Sequence, residues 1–177
     1  MSTSPVSANE SAPAHLDVPL AQQFLTLTLG KELFALAIDH VREIIEFAGL
    51  TEVPLMPAFL RGVINLRGAV VPVIDLSVRF GREQTPIFRR TCIVIVEIPQ
   101  GENLQLLGIM VDSVNEVLAV DAEQLDGRPA FGGGLRADFI AGILKQQEQF
   151  VIVLDILQVL SVDELADMVG AVGQLER

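Results

Sequence analysis

The segment FLRGVINLRGAVVPVIDL, residues 59–76, decides the fold because it returns in altered form as FIAGILKQQEQFVIVLDI, residues 139–156. Both copies show the two-residue alternation of a β-hairpin. Five conserved positions join the copies, and they are Phe59/Phe139, Gly62/Gly142, Val71/Val151, Val73/Val153 and Asp75/Asp155. Four polar or glycine positions differ, namely Arg61/Ala141, Asn65/Lys145, Arg67/Gln147 and Gly68/Glu148. The shared positions indicate a duplicated fold, and the differences indicate a specialised surface in the first copy.

The repeat extends to the strands before each hairpin. TCIVIVEI (91–98) matches FLTLTL (24–29), and GIMVDSVNEV (108–117) matches ALAIDHVREI (35–44). The spacing between matched blocks grows only in loops, where a duplicated fold tolerates insertions. Each half contains about five short strands without a long helical pattern. This texture predicts a mainly all-β fold of two small five-stranded barrels related by internal duplication, with short helices.

The repeat and the composition also predict domain limits. Residues 1–20 are rich in Ser, Ala and Pro, which is typical of a disordered tail. One domain is predicted over 21–165, with sub-barrels at about 21–85 and 86–160. Residues 161–177 are predicted to form a C-terminal helix and tail, since a Ser at 161 and a Glu at 164 make a capping box.

Composition excludes several function classes. The net charge of −11 argues against nucleic-acid binding, which depends on Lys and Arg neutralising phosphates. Apolar runs stay well below the roughly 18 residues of a membrane-spanning helix, so no direct membrane insertion is expected. The N-terminus does not resemble a signal peptide. A single cysteine, Cys92, excludes disulfides within the chain and favours the cytoplasm.

Residues suited to catalysis or metal binding are scarce. The two histidines are His15, in the predicted tail, and His40, within a strand pattern. Asp75 and Asp155 each follow a strand and are interpreted as caps or turn formers. The sequence contains none of the common metal, nucleophile or phosphate-loop motifs. We therefore expect no enzyme activity, no cofactor and no metal.

The first hairpin is a candidate protein-binding surface. Arg61, Asn65 and Arg67 cluster there beside Gly62 and Gly68. The planar guanidinium of Arg can hold a carboxylate through two hydrogen bonds and suits protein recognition. The hypothesis is that this hairpin binds a partner protein, with Glu43 as the ion-pair partner of Arg67.

The stretch RGVINLRGAVVPVIDL (61–76), preceded by VREI and followed by RFG, closely resembles the signature of CheW-like domains. GIMVDSVNEVL, FIAGI and VIVLDI strengthen the resemblance, which covers about residues 21–165. It implies two five-stranded SH3-like β-barrels and a non-enzymatic adaptor in a chemosensory array. The implied partners are the cytoplasmic tips of chemoreceptors and the regulatory domain of a CheA-type histidine kinase. The implied location is the cytoplasm, at membrane-associated receptor clusters.

The resemblance also implies which residues bind partners. Glu43 of VREI and Arg67-Gly68 of NLRG fall where the family's receptor-coupling residues are found. The other candidates in the same signatures are Val41, Gly62 and Asn65, of which Gly62 and Asn65 are expected mainly to shape the hairpin. The family's kinase contact uses apolar barrel surfaces, which the sequence does not assign to individual residues.

Two other readings remain open at this point. The chain could serve a non-flagellar chemosensory pathway, such as pilus-based motility. It could also be a small-ligand-binding β-barrel protein, which the scarcity of functional polar clusters disfavours. The family's multidomain members carry this domain beside kinase or receiver modules, for which the chain is expected to have no room.

Overall fold

The structure is a computed structural model that describes residues 21–127 and 135–160. Within them the chain forms eleven strands and two single-turn α-helices. The strands are β1 (Gln22–Leu29), β2 (Glu32–Ala37), β3 (Val41–Glu46), β4 (Leu60–Leu66), β5 (Ala69–Asp75), β6 (Cys92–Gln100), β7 (Asn103–Val111), β8 (Ser113–Val120), β9 (Leu125–Asp126), β10 (Ile140–Gln146) and β11 (Gln149–Leu154). The α-helices are α1 (Leu76–Arg79) and α2 (Ile156–Val159), and 3-10 turns occupy Ile38–His40, Ala122–Gln124 and Ala137–Phe139.

The strands form two sheets. A six-stranded sheet has the order β8-β1-β2-β11-β10-β9, and a five-stranded sheet has the order β3-β6-β7-β5-β4. Neighbouring strands are antiparallel except for β2 with β11 and β5 with β7, which are parallel. The predicted mainly all-β fold class is confirmed.

Each sheet contains strands from both halves of the chain. The repeat equates β1–β2 with β6–β7, β3 with β8, and β4–β5 with β10–β11, and every pairing in the five-stranded sheet has its counterpart in the six-stranded sheet. The hairpin β1–β2 therefore lies in one sheet with β8–β11 of the second half, and the hairpin β6–β7 lies in the other sheet with β3–β5 of the first half. The boundary predicted between residues 85 and 86 does not separate the sheets. The repeat identifies equivalent strands, but it does not determine which copy supplies their neighbours.

The core joins the two sheets. One large cluster of buried side chains draws on both halves, and smaller clusters lie within each sheet. The ring of Phe80 lies 5.4 Å from that of Phe34 and 5.9 Å from that of Phe139, measured between centroids. Burying such aromatic and aliphatic surface is the main source of stability for units this small. The apolar seam expected between the duplicated units is present.

Arg79 crosses this seam between the halves. Its guanidinium carbon lies 4.9 Å from the ring centroid of Phe59 and 5.2 Å from that of Phe139, which are matching residues of the repeat. Its Nε donates to the carbonyl oxygen of Val159 at 2.7 Å. The cation therefore contacts one aromatic ring from each copy. Attraction between the guanidinium and the ring faces stabilises the contact between the two halves.

A close backbone approach explains the glycine that both copies retain. A Cβ atom at Gly62 would lie 2.3 Å from the carbonyl oxygen of Thr51, and one at Gly142 would lie 2.6 Å from that of Asp126. Contacts this short would force the backbone apart. Gly62 therefore allows an incoming strand segment to lie against β4, and Gly142 does the same for β10.

Several expectations lie outside the described residues. They are the disordered tail at 1–20, the C-terminal helix and tail at 161–177, and most of the Gly-rich stretch at 127–138. In the part of the chain that is described, no helix combines the length and apolar character needed to cross a bilayer.

Candidate protein-binding site

Glu43 and Arg67 form an exposed ion pair. Glu43 lies on β3, and Arg67 lies in the turn between β4 and β5. Both terminal nitrogens of Arg67 donate to the Glu43 carboxylate, with Nη1 lying 3.4 Å from Oε2. Since β3 and β4 are the outer strands of the five-stranded sheet, the pair brings its two edges together. The side chain of Arg67 is 71% exposed and that of Glu43 is 31% exposed, so a partner can reach both.

The turn that carries Arg67 has an unusual backbone. Arg67 and Gly68 have φ angles of +51° and +91°, the pattern of a tight two-residue hairpin turn of type I′. The side-chain oxygen of Asn65 accepts a hydrogen bond from the Gly68 amide at 2.9 Å. Asn65 and Gly68 therefore shape the turn, and Arg67 projects from it.

The charges of the pair stabilise one another. The hydrogen bond from Arg67 lowers the pKa of Glu43 from its usual value, and partial desolvation opposes this shift. The same hydrogen bond raises the pKa of Arg67. Both groups are charged at neutral pH and can exchange their mutual contact for contacts with a partner.

Arg61 does not belong to this surface, contrary to the expectation from the sequence. Its Nη1 lies 2.7 Å from Oδ2 of Asp75, and Asp75 is fully buried. Removing a carboxylate from water is costly unless a cation and hydrogen bonds compensate it. Arg61 supplies that compensation, so its role is structural.

The remaining predicted residues are divided between the surface and the interior. Asn65 and Gly68 lie with Arg67 at the exposed turn, beside Glu43. Gly62 is buried at its close approach to Thr51. The half-buried side chain of Val41 packs against the core. The structure thus brings together four of the six predicted residues, while Gly62 and Val41 support the fold.

A groove close to the ion pair, with both polar and apolar groups in its lining, was missed by the sequence reasoning. It encloses about 390 Å³ and includes Ile45, Leu50, Thr51, Ile64 and Asn65 in its lining. The exposed side chain of Ile44 does not line this groove, because alternation places it on the face of β3 opposite Ile45. The sequence carries no clear signal for the groove, since its lining comes from separate segments of the chain.

No group of three or more His, Cys, Asp or Glu residues suited to metal binding occurs within 21–127 and 135–160. Cys92 has a raised pKa because burial disfavours its thiolate, and its sulfur lies 3.2 Å from the carbonyl oxygen of Arg90. A thiol of this kind is a poor nucleophile. The arrangement suits recognition through the ion pair and the groove near it.

Comparisons with known proteins identify the family of the chain. The sequence model of the CheW-like domain family matches residues 23–164. The chemotaxis protein CheW of Klebsiella aerogenes is 35% identical over 147 residues, covering 83% of this chain and 86% of that protein. The chemotaxis protein CheW of Treponema pallidum is 31% identical over 160 residues, covering 85% and 92%. The crystal structure of the scaffolding protein TtCheW from Thermoanaerobacter tengcongensis matches with a TM-score of 0.73 and 31% identity, covering 82% of this chain and 96% of that one.

Proposed function

The chain belongs to the CheW-like domain family, and on that premise we propose that its Glu43–Arg67 surface binds chemoreceptors. It is a CheW-family adaptor and scaffold protein of chemosensory signalling. In the proposed role it couples the cytoplasmic tips of chemoreceptors to the regulatory domain of a CheA-type histidine kinase without catalysing a reaction.

The observation that carries the receptor site is the exposed ion pair beside a groove whose mixed lining includes apolar side chains. Protein interfaces commonly combine an apolar centre with a polar rim, and Arg is enriched at their energetic hot spots. The groove near Ile45 and Leu50 would receive an apolar side chain of the receptor. Glu43 and Arg67 would lie at the rim and set the orientation of the receptor through charge.

The second copy of the hairpin supports a binding role for the pair. Gln147 takes the position of Arg67 there, yet β10 and β11 pair through the same turn. A hairpin of this type therefore folds without an arginine at its turn. An exposed ion pair contributes little to stability in general. Partner recognition explains Arg67 better than folding does.

Substitution of Arg67 tests this proposal directly. Arg67→Glu places two carboxylates together, so we expect at least about tenfold weaker binding of a chemoreceptor cytoplasmic fragment, a loss typical of an interface hot spot. The matched control is Gln147→Glu, which installs the same residue at the same position of the other hairpin. Titration calorimetry would measure the affinity of each variant for the receptor fragment and, separately, for a CheA regulatory domain.

We expect Gln147→Glu to bind both fragments as the unmodified protein does. Urea denaturation would establish that Arg67→Glu remains folded. If folded Arg67→Glu retains full receptor affinity, Glu43 and Arg67 do not form the receptor contact. If the unmodified protein binds neither fragment, the proposed coupling role is wrong.

A further inference from the structure

A second pocket lies beside Asp155, on the six-stranded sheet. It encloses about 200 Å³ and is bordered by apolar side chains that include Phe24, Leu125 and Leu157. Ala141 and His40 also line it. Because the Glu43–Arg67 pair belongs to the other sheet, this pocket is separate from the proposed receptor site.

The repeat places this pocket at the position of the Arg61–Asp75 ion pair. Asp155 corresponds to Asp75, and Ala141 corresponds to Arg61. The local backbone agrees, since the amide of Asp75 donates to the Phe59 carbonyl at 2.7 Å and that of Asp155 donates to the Phe139 carbonyl at 2.8 Å. The two aspartates therefore occupy equivalent positions in the two sheets.

In the first copy, the chain itself fills this position. Oδ2 of Asp75 accepts from Arg61 Nη1 at 2.7 Å and from the Thr85 amide at 2.8 Å. Oδ1 of Asp75 accepts from the Thr85 hydroxyl at 2.7 Å. A side-chain guanidinium and one residue of an adjoining segment thus complete the hydrogen bonding of the carboxylate.

In the second copy, neither element has a counterpart among the described residues. Ala141 is too short to reach the carboxylate. Within 21–127 and 135–160, the Asp155 side chain accepts only from the Gln158 amide, at 3.3 Å. A carboxylate offers about four acceptor positions. Toward the residues that the structure describes, Asp155 therefore has unused acceptor capacity, and it is partly exposed at the pocket.

We propose that this pocket binds an arginine side chain that a partner protein presents. Its guanidinium would bond to Asp155 as that of Arg61 bonds to Asp75, through charge-assisted hydrogen bonds. The apolar border formed by Phe24 and Leu125 suits the methylene groups of arginine. The internal comparison thus defines the chemistry of the ligand.

Charge complementarity favours a partner over the chain's own C-terminal segment. Residues 161–177 follow α2 in the chain, as the segment containing Thr85 follows α1. They carry four acidic residues, and their one basic residue is Arg177 at the very end. Such a segment would repel the carboxylate of Asp155, whereas an arginine from another protein would neutralise it.

Peptide titration with the full chain provides the test. The probe is the tripeptide acetyl-Ala-Arg-Ala-amide, and its matched control carries citrulline, which has nearly the shape of arginine without the charge. We expect the arginine peptide to cause saturable shifts of the amide signals around Ala141 and Asp155 in two-dimensional NMR spectra. The citrulline peptide should bind at least about fivefold more weakly.

Variants of the protein sharpen the test. Asp155→Asn should weaken binding of the arginine peptide at least about fivefold, because it removes the charge. Glu148→Gln, at the distant turn of the same hairpin, removes one charge and should leave binding unchanged. Ala141→Arg should abolish peptide binding, because it supplies the arginine that the first copy has.

Three results would overturn the proposal. Equal binding of the arginine and citrulline peptides would exclude recognition of the guanidinium. Full binding by Asp155→Asn would exclude the carboxylate as its partner. If no peptide binds and Asp155→Asn shifts the signals of residues 161–177, the occupant is the chain's own terminal segment.

Discussion

The hairpins β4–β5 and β10–β11 have the same pairing and the same kind of turn, but the aspartates at their C-terminal ends have different surroundings. Asp75 is fully buried and neutralised by Arg61, whereas Asp155 borders an open pocket. Both aspartates cap the following helix, α1 or α2. The comparison shows that capping is the shared role of these residues. Burial as part of an ion pair is an addition found in the first copy.

The hairpin turns differ in a similar way. Gly68 occupies the second turn position at a φ of +91°, where glycine is unstrained, and Glu148 occupies the matching position at +67°. A side chain at such an angle costs about 1–2 kcal/mol. Arg67 and Gln147 both occupy the first turn position at positive φ, so the first turn holds one non-glycine residue in this region and the second turn holds two.

The largest difference between the copies should appear when each aspartate loses its charge. Asparagine caps a helix about as well as aspartate, so the substitution isolates the effect of the charge. Asp75→Asn leaves Arg61 without its buried partner and should lower the free energy of unfolding by about 3–5 kcal/mol. Asp155→Asn should lower it by less than about 1 kcal/mol.

Urea denaturation of both variants would measure these changes through the unfolding midpoint at an unchanged slope. Equal losses of unfolding free energy for Asp75→Asn and Asp155→Asn would contradict the distinction between a buried, paired Asp75 and an Asp155 that borders a pocket. Arg61→Ala provides a further comparison because it copies the residue of the second hairpin, and it should be nearly as destabilising as Asp75→Asn.

A smaller effect is expected from relieving the strained turn. Glu148→Gly gives the second turn the residue of the first, and it should raise the free energy of unfolding by about 0.5–1 kcal/mol, because relief of strain exceeds the added chain entropy. Gly68→Ala adds a side chain at the matching position of the first turn and should be destabilising. Thermal unfolding would test both variants, and a loss of stability for Glu148→Gly would show that its backbone is not strained.

The smallest effect concerns the titration of Glu43. Arg67 lowers the pKa of Glu43 in the folded protein, so the contribution of the pair is complete above the unfolded value of about 4.3. The contribution disappears as the pH falls through the lowered value. NMR titration of the carboxyl carbon should give a midpoint below the usual value of a glutamate, and Arg67→Gln should raise it. An unchanged midpoint of Glu43 in Arg67→Gln would show that Arg67 does not lower the pKa of Glu43.

Much of the fold was predictable from local patterns. Alternation located the strands, and Asp75 and Asp155 were recognisable as caps because each follows a strand directly. The pairing of Glu43 with Arg67 was also predicted, since the guanidinium of an arginine can hold a carboxylate through two hydrogen bonds. These features depend on residues close in sequence or on simple chemistry, which a single chain displays.

The pairing of β1–β2 and of β6–β7 with strands of the other half was not predictable, because the residues that make these contacts are far apart in the sequence. Leu33 on β2 pairs with Val151 on β11, and Val73 on β5 pairs with Gly108 on β7. Alternation shows which face of each strand is buried, but it does not show which strand lies beside it. Arg61 was misassigned for a related reason, since Thr85 lies outside the hairpin and helps to enclose Asp75.

These pairings between the halves also govern how the protein can be made. Leu33 and its partner Val151 are 118 positions apart. At the usual pace of translation, a ribosome needs roughly 6–24 s to cover that distance. Throughout this interval β2 has an open edge, and buried residues such as Phe34 lack their final neighbours. The nascent first half is therefore a candidate client for chaperones, although the finished protein is small.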